Sequence, residues 1–164
     1  MDENLQRYLN DHLAGSVAAV DTIELLADRS ETAEDHKFYT DLLAKVEKDR
    51  EVLDKLLRKA GEDRSGFLEA AGELTAKASR LKLRWEGLSP GSLGLLEAIE
   101  MLALGIEGKR RLWLLLDRIA SAVPEWEGTD FKALEADAAA QGQAVEQRRI
   151  VAGKAVFMQP VSAT

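Results

Sequence analysis

The chain contains no cysteine, two histidines, three prolines and only 5% aromatic residues. Without cysteine there are no disulfides, zinc–thiolate sites, iron–sulfur clusters or cysteine nucleophiles. Long apolar runs are missing as well. The longest uncharged stretches, such as Gly87 to Leu96 and Ala155 to Thr164, are only about ten residues, whereas a spanning helix needs roughly twenty apolar residues. The N-terminal Met1 to Leu13 is charged and amphipathic and lacks the basic and apolar regions of a signal peptide. A soluble, cytoplasmic protein that does not engage membranes is therefore expected. With 22 basic against 29 acidic residues, a net charge of −7, there is no excess of cations for a general nucleic-acid-binding face. Dinucleotide-binding, P-loop, HExxH, EF-hand and Gly-x-Ser-x-Gly patterns are all missing too.

What is present is helical periodicity. At 164 residues, 46% hydrophobic and 31% charged, the chain suits one globular domain, which would bury roughly two-thirds of its unfolded surface. Leu5, Leu9, Leu13, Val17, Val20, Ile23 and Ala27 repeat at three-and-four spacing and predict a helix over about 4–29. A second helix, 33–60, carries Tyr39, Leu42, Leu43, Val46, Leu53 and Leu57 inward. Ser30 or Thr32 is its cap, Glu34 and Asp35 lie in its first turn, and Gly61 stops it. The two form an antiparallel hairpin. A weaker helix, 65–85, has Leu68, Ala71, Leu74, Ala78 and Leu81 inward. Ser89 before Pro90 reads as the cap of a third long helix, 90–122, the most apolar of all. Asp130 caps the last, 130–156, with Phe131, Leu134, Ala138, Val145, Ala152 and Val156 inward. The domain spans 1–158, and 159–164 is a frayed tail. No run alternates with a period of two, so the fold class is all-α.

Four long helices in two hairpins, joined by a connection long enough to run the length of the bundle, match the ferritin-like arrangement, here with an additional helix in the crossover. An up-down-up-down bundle is the alternative. Ferritin-like bundles build di-iron sites from glutamates and Glu-x-x-His pairs. This chain has Glu47-x-x-Arg50 and Glu146-x-x-Arg149 instead. Arginine stays protonated and cannot ligate a metal, but a guanidinium can neutralise the carboxylates that iron would neutralise. The alternative is an ordinary helix-surface ion pair. Helical-wheel positions put polar groups on or beside the inward stripes of all four long helices: His12, Asp49, Arg50, Glu107, Arg110, Gln141 and Arg149. Buried charge without a partner is costly, so these residues are expected to pair in an interior polar layer that fixes register.

Lys77, Arg80 and Arg84 form a basic stripe, read as a solvated face, and Trp85, Trp113 and Trp126 fall near helix ends. Leu112-Trp-Leu-Leu-Leu116 is apolar on every side. Such a segment needs cover from the crossover helix or a second subunit, which suggests a homodimer.

Arg7-Tyr-Leu-Asn-Asp-His-Leu-Ala-Gly-Ser16, Glu47-Lys-Asp-Arg50, Arg80-Leu-Lys-Leu83 and Leu102-Ala-Leu-Gly-Ile-Glu-Gly-Lys109 followed by Leu112-Trp113 resemble a group of small, largely uncharacterised bacterial proteins with ferritin-like bundles. The resemblance implies the fold rather than an activity. Arginines at both expected metal-histidine positions count against iron storage and oxygenase chemistry.

The expected function is that of a structural or interaction module with no functional di-iron site, no cofactor and no catalytic residues. The alternative is an iron- or manganese-binding protein using Glu24, Glu47, Glu100, Glu107, Glu146 and His12. A third reading is an apolar small-molecule binder between the helices.

Overall fold

The computed structural model describes residues 2–59 and 87–158. Among them the chain forms four long helices and no strand: α1 (Glu3–Asp28), α2 (Ala33–Lys59), α3 (Leu93–Ile119) and α4 (Phe131–Phe157). Two single 3₁₀ turns, Ala120–Ala122 and Pro124–Trp126, lead from α3 to α4. The expected helix 65–85, the Gly61 stop, the basic stripe Lys77, Arg80 and Arg84, Trp85 and the tail 159–164 lie outside the described residues.

Side-chain caps fix the helix starts. The Asp2 carboxylate accepts from the N–H groups of Asn4 and Leu5 at 2.9 and 3.2 Å, and Thr32 Oγ1 accepts from Asp35 N–H at 3.0 Å. Asp130 accepts from Ala133 N–H at 2.9 Å, as its sequence position predicts. Ser30 instead ends α1, donating its hydroxyl to the Leu26 carbonyl at 2.7 Å.

The start of α3 departs from expectation. It begins at Leu93 rather than Pro90, with Ser92 as the N-cap accepting from Leu95 N–H at 3.2 Å. Gly91 takes a φ of +79°, and Ser92 N–H bonds the Ser89 carbonyl at 3.0 Å. Proline second and glycine third in such a turn is the type II pattern. A left-handed Gly91 cannot belong to a right-handed helix, so the Ser-Pro-Gly segment turns the chain and the helix waits for Ser92.

The inward stripes fall into two apolar clusters stacked along the helices. One joins the second half of α1, the first half of α2, the first half of α3 and the second half of α4, including Ile23, Leu42, Leu102 and Val145. The other joins the opposite halves, including Leu9, Leu53, Leu116 and Ala138. It follows that α1 and α4 run one way and α2 and α3 the other. The chain leaves α2 at one end of the bundle and enters α3 at the other. Within these clusters α1 packs chiefly on α2 and α3 on α4, with α1 also touching α3.

Cover over Leu112 to Leu116 is partial. Leu112, Trp113 and Leu116 are buried, while Leu114 and Leu115 are exposed. They join Leu93, Met101 and Leu104 as exposed apolar residues of α3.

Candidate functional site

Between the two apolar clusters lies a polar crossing. Asp49 on α2 and Gln141 on α4 are only 5% and 4% exposed, because each falls on the inward stripe of its helix. Lys109 on α3 reaches both. Its Nζ donates to Asp49 Oδ2 at 2.5 Å and to Gln141 Oε1 at 2.5 Å, and Gln141 Nε2 donates to Asp49 Oδ2 at 3.2 Å. Three helices are thereby tied at one height. Burial lowers the pKa of Lys109, against the opposing pull of Asp49 and Asp137. An ion pair of this kind adds little net stability over apolar packing, but it tolerates only one register.

The expected polar layer is thus divided. Asp49 and Gln141 belong to this crossing, with Lys109, which wheel arithmetic missed. Lysine's long stem carries its ammonium inward from a helix flank. The signal in the sequence was that two inward polar residues, Asp49 and Gln141, still needed a cation.

Glu107, Arg110 and Arg149 are not interior. They lie half-exposed along the α3–α4 seam. Arg110 bonds Glu107 Oε2 at 2.9 Å on its own helix and Glu135 Oε1 at 2.6 Å on α4. Arg149 bonds Glu146 Oε2 at 2.7 Å on its own helix and Glu100 Oε1 at 3.0 Å on α3. Each cluster is a Glu-x-x-Arg pair completed by a glutamate from the facing helix. Hydrogen bonds from Arg110 and Arg111 hold the Glu107 carboxyl below its usual pKa, and Arg149 does the same to Glu146. Both guanidinium pKa values rise correspondingly. A fourth arginine, Arg148, was not singled out from the sequence. It joins α4 to α2 by pairing with Asp35 and, at 3.0 Å, with Glu34, and it lies 4.7 Å over the Phe38 ring.

Glu47-x-x-Arg50 behaves differently. Glu47 is exposed, and Arg50 makes no ion pair with any described residue. Glu24 is also exposed. His36 lies in the first turn of α2, its Nδ1 3.0 Å from the Ala27 carbonyl. Of the carboxylates that could form a metal set, Glu100, Glu107 and Glu146 are all bonded by guanidinium groups. Among the described residues no three of Asp, Glu and His lie where they could hold a metal ion together.

His12 and Arg50 meet elsewhere. They line a half-open cavity of about 420 Å³ bounded by α1, α2 and α3. Its walls are mostly apolar, and the Asp49–Lys109 pair forms part of one side. The His12 ring packs edge-on against Tyr8, with centroids 4.7 Å apart. Burial lowers the His12 pKa, partly opposed by Asp11, so the imidazole is neutral at pH 7.

No protein-family model matches the chain, and no curated protein or solved structure is detectably similar to it.

Proposed function

We propose that this protein is a ferritin-like bundle of the kind found in the small bacterial proteins it resembles, and that it works in the cytoplasm as a structural or interaction module rather than as a metalloenzyme. The observation that carries this reading is the donor set. Arg149 engages Glu146 and Glu100, and Arg110 engages Glu107 and Glu135. A fixed guanidinium neutralises carboxylates that a metal would otherwise bridge, and it has no lone pair to offer. The shared direction of α2 and α3, with their ends at opposite ends of the bundle, supports the ferritin-like topology. Self-association as a homodimer rests on the exposed apolar residues of α3. Met101 and Leu104 are 48% and 67% exposed, and they lie at helical spacing on one face with Leu93 and Leu115.

Elemental analysis of the purified protein after incubation with iron(II) and manganese(II) tests the first part. Substoichiometric metal at every loading is the expected result. Stoichiometric metal that disappears in Glu107→Ala would overturn the reading in favour of a carboxylate metal site. Light scattering tests the second part: the expected dimer should become monomeric in Leu104→Glu, and a wild-type monomer removes the homodimer.

A further inference from the structure

The cavity between α1, α2 and α3 has no role in the module just described, and it has the attributes of a binding site. At about 420 Å³ it falls within the range of small-molecule sites, which are mostly apolar with a few convergent polar groups. Val46, Leu53 and Leu112 supply apolar wall.

Three glycines line it: Gly15 on α1 and Gly105 and Gly108 on α3. Each sits inside a helix, where glycine is unfavourable relative to alanine. The usual reason for such a residue is a neighbour that leaves no room for a Cβ. The α3–α4 side has neighbours at that place, with room for them: a Cβ on Gly142 would make ordinary contact with Ile106 at 3.7 Å and one on Gly153 with Leu96 at 3.8 Å. At Gly15, Gly105 and Gly108 a Cβ would meet nothing within 4 Å among the described residues. Packing among the described residues does not call for them. All three border the one cavity, Gly15 and Gly108 half-buried and Gly105 exposed.

The polar groups on the wall indicate what fills it. Lys109 and Asp49 neutralise each other, and His12 carries no charge at pH 7. Asp11, the other carboxylate on the wall, is exposed to solvent. That leaves Arg50 as the wall cation without a carboxylate among the described residues, and a guanidinium fork suits a carboxylate in bidentate geometry. Trp113 adds an unmatched donor. It is 1% exposed, forms part of the same wall, and its indole N–H has no acceptor among the described residues.

We propose that this cavity binds a small amphiphilic carboxylate, its hydrocarbon body against Val46, Leu53 and Leu112 and its carboxylate on Arg50.

Titration calorimetry of the full chain with decanoate and with 1-decanol tests this. Decanoate should bind one to one and about tenfold more tightly than the alcohol, the scale of one charge-assisted hydrogen bond. Arg50→Met should erase that preference while leaving residual binding of both probes. Gly108→Leu, at a half-buried position of the wall, should abolish binding with helicity intact, and Ala19→Phe fills the same space from α1 should that variant not fold. The proposal is overturned by an absence of saturable decanoate binding at 1 mM, by equal affinity for the alcohol, or by decanoate binding that survives in a folded cavity-filling variant. No metal or guanidinium–glutamate cluster enters this titration, and metal content and light scattering test the proposed function separately, so its failure leaves that reading standing.

Discussion

The two sides of α3 are built on opposite terms. Toward α4 the seam is closed: a Cβ on either Gly142 or Gly153 would touch a side chain of α3, and both seam arginines are held by two glutamates each. Toward α1 and α2 the same helix presents glycines to open space and a tryptophan N–H that has no acceptor among the described residues, and it faces an α2 arginine that has no carboxylate among them. Both faces carry glycine and arginine. Whether a facing helix supplies the complement is what separates them. Charges satisfied within the chain mark structure, and unmatched ones around a cavity mark a place where something else can bind.

The largest expected effect that would sharpen this contrast comes from the crossing between the two sides. Asp49→Ala leaves the Lys109 ammonium buried without its counter-ion and should cost about 3 kcal/mol in urea denaturation. Arg149→Met, on the half-exposed seam, should move the midpoint far less. Equal losses would mean that seam and interior are not energetically distinct.

The two buried tryptophans come next. Trp126 Nε1 donates to the Leu56 carbonyl at 3.3 Å, whereas Trp113 Nε1 has no acceptor among the described residues. Replacement by phenylalanine should therefore cost about 1 kcal/mol more at 126 than at 113. The reverse order in thermal melts would mean that Trp113 has a partner.

The smallest effect is that of pH on the cavity. Burial depresses the His12 pKa below its usual 6.5. The folded state therefore binds fewer protons than the unfolded state just below that pH. The stability contributed by the neutral ring is fully present above pH 6.5 and is lost as pH falls through the lowered folded value. Melting temperatures should decline from pH 6.5 downward, and His12→Gln should flatten that slope. The guanidinium-held Glu107 and Glu146 act lower, because their depressed carboxyl pKa values withdraw stability only as pH falls below the usual 4.5. A slope unchanged in His12→Gln would assign the upper transition to other groups.

Periodicity placed α1, α2 and α4 to within a residue or two, and the stripes it put inward are buried or half-buried. It misplaced the start of α3, because a proline compatible with a first helical turn is equally compatible with a type II turn. Gly91 decided between them. The candidate site was legible only in fragments. His12, Asp49, Arg50 and Gln141 were marked by their angle on a wheel. Nothing in that angle separates an interior charge from one half-exposed at a helix seam, so Arg110 and Arg149 were drawn inward with the rest.

The sequence by itself determined the four long helices, the caps of α2 and α4 and the apolar faces, because these follow from residues three and four apart. It also determined the supply of charges, since no cysteine and two histidines leave arginine, lysine and the carboxylates to do the pairing. Tertiary structure alone decided which charges meet. Lys109 and Asp49 are 60 residues apart in the chain, and Arg148 and Glu34 are 114 apart. No local pattern encodes such distances. The cavity is likewise a property of three helices together, because empty space arises only where their surfaces fail to fill one another.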